Sequence, residues 1–121
     1  MIEHLKGFPG NVLAFACHGK VSRQDYETVL VPAVEATLKV HEKVRLYYET
    51  AADFTGIEAG AVLEDTKVGL EHLGRWERIA LVSDVEWIRI AVRAFGFLLP
   101  ARLRVFEQGE ATAARAWIGE A

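Results

Sequence analysis

A short polar turn, Asp53-Phe54-Thr55-Gly56, joins an apolar segment to one with helical periodicity, and it contains a carboxylate, a hydroxyl and a glycine. Asp53 or Thr55 can cap the following helix, with Gly56 supplying backbone freedom. The free amides at the start of a helix can also bind a ligand or a partner. A phosphate on Thr55 would add a charge of about −1.5 to −2 and reorganise the turn. The residues alone leave the capping role and the binding role open.

Glu49, Asp53 and Asp84 are expected near the carboxyl edge of the predicted sheet, and two such acids can act as a general acid and a general base. Helix caps and solvated loop acids explain them more economically, because no nucleophile or metal set accompanies them. The histidines fall on different segments, without a metal-ligand spacing: His4, His18, His41 and His72. We therefore predict that the protein is not an enzyme and has no metal and no cofactor.

The most apolar helical segment runs from residue 85 to about residue 99, and Pro100 ends it. Its apolar face is wide, so either the sheet covers it or a strip remains for a ligand, a partner or a bilayer surface. Trp76, at the end of the preceding helix, and Trp87 are placed to line the same cleft, although core packing explains them equally well.

We predict an apolar groove between this helix and the helix that starts at Ile57. The candidate ligand-binding residues are Asp53, Phe54, Thr55, Gly56, Trp76, Trp87, Phe95 and Phe97. An apolar small molecule or lipid, a protein partner and peripheral membrane contact are the candidate partners.

Hydrophobic periodicity predicts the elements that position these residues. Apolar runs predict five strands, at 2–8, 11–19, 44–49, 79–82 and 102–106. Helical spacing predicts four helices between and after them, at 22–41, 57–73, 85–99 and 110–119. The first two strands are expected to form an antiparallel hairpin, and the later strand-helix-strand order predicts parallel pairing. The fold class is therefore α/β, a single domain over residues 1–121 with a mostly parallel five-stranded sheet and about four helices.

Capping, proline and hydrophobic patterns give further detail for two of the predicted helices. Ser22 is the expected N-cap of the first, with Asp25 at the capping-box position, and Pro32 predicts a kink near residues 30 and 31. The second helix has a predicted core stripe that consists of Ala59, Val62, Leu63, Thr66, Leu70 and Leu73. The strand at 11–19 reads VLAFAC almost without polar interruption, so we place it centrally in the sheet.

Composition limits the classes of partner and compartment. The 121 residues are 51% hydrophobic and carry a net charge of −3, which is typical of a globular protein and argues against nucleic-acid binding. No segment matches a signal peptide, and no apolar run approaches the ~20 residues of a membrane span. The single cysteine, Cys17, fits a reducing cytoplasm and is predicted to be a buried core residue. We predict a cytoplasmic protein, with contact at the inner face of the membrane left open.

Several segments share an order and a spacing with one known family. They are Asp53-Phe54 with Gly56, Glu64-Asp65 with Gly69-Leu70 and His72-Leu73, Glu77-Arg78-Ile79-Ala80-Leu81-Val82, Trp87 after Ser83-Asp84, Arg104-Val105-Phe106, and Ala116-Trp117. Through them the chain resembles the SpoIIAA-like family, a branch of the STAS domains (sulfate transporter and anti-sigma factor antagonist), over nearly its whole length.

The resemblance implies a non-enzymatic domain that binds an apolar or lipid-like ligand or associates with a membrane surface. An interaction module of the anti-sigma factor antagonist type is the alternative, and a homodimer is left open. Those antagonists carry a phosphorylated hydroxyl residue directly after an Asp in this turn, where this chain has Phe54. Thr55 matches the second hydroxyl residue of that motif. The phenylalanine at this position weakens the hypothesis of a phosphorylation switch, but Thr55 stays a candidate for phosphorylation.

Overall fold

The computed structural model describes residues 1–121. Its strands are β1 (Ile2–His4), β2 (Val12–Cys17), β3 (Lys20–Val21), β4 (Val44–Thr50), β5 (Gly56–Ile57), β6 (Trp76–Val82) and β7 (Arg102–Phe106). Five of them form one sheet in the order β1-β2-β4-β6-β7, in which only the β1–β2 pair is antiparallel. The prediction of a mostly parallel five-stranded sheet is confirmed. The small β3–β5 sheet was not predicted.

Four helices accompany the sheet. They are α1 (residues 23–38), α2 (Ala59–Glu71), α3 (Glu86–Gly96) and α4 (Ala111–Gly119). Short 3₁₀ turns at Leu73–Arg75 and Gln108–Glu110 lead into β6 and α4. None of the helices is long and apolar enough to cross a membrane.

The two faces of the sheet carry separate cores. Helices α1, α2 and α3 pack on one face, where Phe15 and Leu81 are buried. Helix α4 packs on the other face, where Tyr47 and Ile118 are buried. All six residues of β2 are buried, which explains their continuous apolar run, although β4 rather than β2 is the middle strand.

Helix α1 begins with the predicted capping box. The Ser22 hydroxyl accepts a hydrogen bond from the Asp25 amide, and the Asp25 carboxylate accepts one from the Ser22 amide. The predicted kink at Pro32 takes the form of a π-helical turn over Tyr26–Leu30. Because Pro32 has no amide to donate, one wider turn accommodates it and the helix continues to Leu38.

Helix α2 is rotated relative to the predicted stripe. Ala61 and Val68 are its buried residues, and Asp65 shares their side of the helix. Leu63 and Leu70, which the stripe assigned to the core, are 71% and 53% exposed. The packing therefore follows a row of small and polar residues rather than the most hydrophobic one.

The boundaries of two predicted helices also need correction. The second helix does not start at Ile57, because Gly56–Ile57 is β5 and α2 starts at Ala59. Trp76 is not at the end of that helix but is the first residue of β6. Helix α3 ends at Gly96, before the residues near 99 that were predicted to close it.

Candidate functional site

A cavity of about 250 Å³ lies between the sheet and helices α1, α2 and α3. Eighteen of the 21 residues that line it are hydrophobic. The sheet contributes Leu46, Tyr48, Trp76, Ile79, Leu81 and Leu103, α2 contributes Val62, Asp65, Thr66, Val68 and Gly69, and α3 contributes Trp87, Ile88, Ala91, Val92 and Phe95. Tyr26, Leu30, Val34, Ile57 and Leu99 complete the wall. Such a cavity suits an apolar molecule.

Polar groups in the wall form one connected network. The Tyr26 hydroxyl donates to Asp65 Oδ1 at 2.9 Å and lies 2.8 Å from the Tyr48 hydroxyl. Because Tyr26 gives its only proton to Asp65, Tyr48 is the donor in the second bond. Burial raises the pKa of Asp65 above its ordinary value of 3.8, and the bond from Tyr26 opposes that shift only in part.

Cys17 lies beneath this network and is fully buried. Burial raises the pKa of its thiol to about 12, against a smaller lowering by the Tyr48 hydroxyl. Because the thiolate is the reactive form, a thiol with this pKa behaves as a small core residue. The prediction that Cys17 is buried is confirmed.

The wall of the cavity contains no Lys, Arg or His side chain. Asp65 is the only acidic side chain in the wall. The indole Nε1 of Trp76 is buried and has no hydrogen-bond partner, and neighbouring protein atoms cover it. The cavity therefore has one accessible polar region, at Asp65.

The candidate ligand residues divide into two groups. Trp76, Trp87 and Phe95 line the cavity, with Trp87 53% exposed at its edge. Phe97 is 93% exposed and lies outside the cavity wall. The turn at residues 53–56 and Phe97 are not among the residues that line the cavity.

Backbone hydrogen bonds tie the turn at residues 53–56 to the end of β2. The Gly19 amide donates to the Asp53 carbonyl at 3.1 Å, and the Thr55 amide donates to the Gly19 carbonyl at 2.8 Å. Gly19 has a φ of +55°, a left-handed conformation that glycine adopts without strain. Phe54 is half-buried against the core, whereas Asp53 and Thr55 are exposed.

Neither Asp53 nor Thr55 caps α2, so the predicted capping role of the turn is wrong. The N-cap of α2 is Glu58, and its carboxylate instead accepts a hydrogen bond from the Arg23 amide at the start of α1. The amides of Phe54 and Thr55 are paired with backbone carbonyls. They are therefore not free helix-start donors for an anion.

The three acids proposed as alternatives for acid–base chemistry have separate partners. Glu49 accepts a hydrogen bond from the Tyr47 hydroxyl at 2.6 Å, and Asp84 accepts one from the Gln108 amide at 2.9 Å. Asp53 contacts His18. The structure has no cluster of three His, Cys, Asp or Glu residues that could hold a metal ion.

Sequence reasoning missed His18, which joins β1 to the turn. Its Nδ1 lies 3.0 Å from Asp53 Oδ1, and its Nε2 lies 3.0 Å from Glu3 Oε1. Both ring nitrogens donate only when the imidazole is protonated, so these contacts raise the pKa of His18, with Glu3 as the larger cause. The only signal in the sequence was a His-Gly pair directly after an apolar strand.

We expect His18 to titrate above its ordinary pKa of 6.5 in the folded protein. Its contribution to stability is fully present below pH 6.5 and is lost as the pH rises through the raised value. NMR titration of the imidazole should show the pKa fall towards 6.5 in Glu3→Gln and, by less, in Asp53→Asn. A pKa that stays the same in both variants would contradict this assignment.

Comparison of the sequence and the fold with known proteins places the chain in a family. The family described as SpoIIAA-like matches residues 12–119. The fold is similar to the crystal structure of an uncharacterised protein from Shewanella loihica PV-4 with a SpoIIAA-like fold, with a TM-score of 0.73 and 24% identity over 98% of this chain and 92% of that one. No curated protein matches the chain significantly in sequence. This fold in general supports a regulatory or interaction domain rather than an enzyme. The chain belongs to the SpoIIAA-like family, in agreement with the STAS superfamily.

Proposed function

We propose that residues 1–121 act as one non-enzymatic domain that binds a small apolar molecule in the cavity between the sheet and α1, α2 and α3. The observation that carries this proposal is the cavity itself, with 18 hydrophobic residues among the 21 that line it. An apolar cavity of about 150 Å³ is known to accept benzene, so 250 Å³ suits a molecule of about 10 non-hydrogen atoms.

The apolar wall argues against a mere packing defect. The cavity is partly open between α2 and α3, so its apolar wall contacts water when no ligand is bound. Removal of apolar surface from water gains about 25 cal/mol per Å². A ligand that covers the wall would gain this energy, which favours a binding role for the cavity.

Helices α2 and α3 form the side of the cavity from which a ligand can enter. Val62 on α2 and Trp87 on α3 both line the cavity and are 45% and 53% exposed. Most of the deeper wall belongs to buried residues such as Leu81 and Val68. We therefore place the entrance between α2 and α3, where side-chain movement requires no change in the sheet.

Native mass spectrometry of the protein purified from its own cells tests this proposal. A bound apolar molecule in stoichiometric amount, recovered by organic extraction, is the expected result. The proposal fails if the protein is empty and also does not bind n-propylbenzene, a hydrocarbon of suitable size, in calorimetric titration.

Phe95 and Phe97 provide a matched pair of variants. Phe95 lines the cavity and Phe97 lies outside it, so Phe95→Asp should weaken binding of n-propylbenzene at least about tenfold, because a charge would enter an apolar site. Phe97→Asp should leave this affinity unchanged. Circular dichroism would establish that both variants are folded, and equal losses in the two folded variants would contradict the proposed location.

An interaction module is the second candidate function, and an exposed apolar surface favours it. Trp87, Ile90, Phe97 and Leu98 are between 53% and 93% exposed on α3 and the turn that follows it. Contiguous exposed apolar groups commonly mark contacts with a protein or a membrane. On this reading the domain contacts a protein partner through α3, and binding of the apolar ligand modulates that contact.

Phe97→Asp also tests this second function. It should abolish co-purification of a specific protein partner, while binding of the ligand persists. Flotation with vesicles would identify a membrane as the occupant of this surface instead, and measurement of the mass in solution would identify a second copy of the chain.

Phosphorylation at Thr55 belongs to the same candidate function, since Thr55 is exposed. A Thr55→Glu variant with unchanged affinity for the partner would remove that part of the proposal.

A further inference from the structure

We infer that the ligand of the cavity carries an uncharged hydroxyl group, which donates a hydrogen bond to the carboxylate of Asp65. This inference rests on the proposed function and adds the chemical class of the ligand: an apolar alcohol rather than a hydrocarbon, a fatty acid or another anion.

Asp65 has an unused acceptor in the wall of the cavity. Tyr26 donates to Oδ1, no protein group donates to Oδ2, and Asp65 is exposed at the cavity. Tyr26 and Tyr48 have no free proton to offer Oδ2, because each already donates within the network. A ligand that brings its own donor would complete the set of hydrogen bonds.

The rest of the wall excludes the other common polar groups. No Lys, Arg or His lines the cavity, so a carboxylate or phosphate inside it would have no counter-charge and would face Asp65. The Thr66 hydroxyl, the other polar side chain in this part of α2, already donates to the Val62 carbonyl at 3.0 Å. The indole Nε1 of Trp76 is covered by protein atoms and offers no contact.

The surroundings of Asp65 also favour an uncharged donor. Asp65 is exposed at the cavity, and the apolar wall around it disfavours its charge, which raises its pKa. A hydroxyl group on the ligand would donate to the carboxylate without bringing a second charge into the cavity. Recognition of such a group gives this carboxylate a role beyond its hydrogen bond with Tyr26.

Three probes of similar size separate these possibilities: n-propylbenzene, 2-phenylethanol and phenylacetate. By calorimetry, wild type should bind 2-phenylethanol at least as tightly as n-propylbenzene and should bind phenylacetate at least about tenfold more weakly. In Asp65→Leu, the affinity for 2-phenylethanol should fall at least about tenfold relative to n-propylbenzene, because its hydroxyl would be buried without a partner. Thr66→Val is the matched control, since Thr66 lines the same cavity, and it should keep the wild-type order.

Binding of n-propylbenzene reports whether the cavity is intact, so the two proposals fail separately. If wild type and Asp65→Leu both bind n-propylbenzene but show the same preference between the alcohol and the hydrocarbon, the hydroxyl assignment is wrong and the ligand cavity stands. Tighter binding of phenylacetate than of 2-phenylethanol would also overturn the assignment. If wild type binds none of the three probes, the proposed function itself fails.

Discussion

A Gly69→Leu variant is expected to lose about 10- to 100-fold in affinity for n-propylbenzene while it remains folded. Gly69 lines the cavity, and an added Cβ would meet no heavy atom within 4 Å, so the larger side chain has room to occupy the ligand's space. A ligand forced against an extra side chain in a packed site costs about 1–3 kcal/mol, which corresponds to this loss. Calorimetric titration measures it directly.

Stability distinguishes this blocking effect from damage to the fold. Gly69 lies within α2, where leucine is a better helix former than glycine by roughly 0.5–1 kcal/mol. The free energy of unfolding of the unloaded variant should therefore be no lower than that of wild type. Gly74→Leu is the matched control, because a Cβ there also meets nothing within 4 Å but the residue is outside the cavity. Normal affinity in a folded Gly69→Leu would contradict the proposed site.

The second effect concerns stability. Asp65→Asn should raise the free energy of unfolding of the unloaded protein by about 0.5–1 kcal/mol at pH 7, a modest gain because Asp65 is exposed to solvent at the cavity. The amide keeps an oxygen that accepts the hydrogen bond from Tyr26 and removes the charge from the apolar wall. Glu71→Gln, an exposed change of the same type on α2, should alter stability by less than about 0.5 kcal/mol.

The pH dependence of this effect follows from the raised pKa of Asp65. The folded chain holds the proton more tightly than the unfolded chain, whose ordinary value is 3.8. Wild-type stability due to Asp65 is therefore greatest below about pH 3.8 and is lost as the pH rises through the raised pKa. The advantage of Asp65→Asn should shrink as the pH is lowered towards 4. Urea unfolding at several pH values would show this, and an advantage that grows at low pH would refute it.

The sheet was predictable because burial on both faces leaves a continuous apolar run. VLAFAC in β2 shows this, and the alternation of β7 marks its place at the edge of the sheet. Helix α2 was misaligned because its core-facing row contains Ala61, Asp65 and Val68, which is less hydrophobic than the exposed row with Leu63 and Leu70. Periodicity ranks rows by hydrophobicity, so it cannot identify a carboxylate that lines a cavity and accepts a hydrogen bond from a buried tyrosine.

The candidate site was predictable only in part, for similar reasons. Large aromatic residues such as Trp87 and Phe95 were identified because an apolar helix with excess hydrophobic surface indicates a cavity or an interface. Asp65 was found only as part of the family resemblance, since a single acid on an amphipathic helix resembles any solvated residue. The β3–β5 pairing was missed because strands of two residues, Lys20–Val21 and Gly56–Ile57, have no detectable period.

A crystal structure of the protein grown with n-propylbenzene would show directly whether the cavity is the ligand site. We expect electron density for the hydrocarbon inside the cavity of about 250 Å³, between the sheet and helices α1, α2 and α3 and in contact with Phe95 and Gly69. A structure in which the hydrocarbon lies only on the outer face of α3, near Phe97, with the cavity closed by its own side chains, would contradict the proposed site.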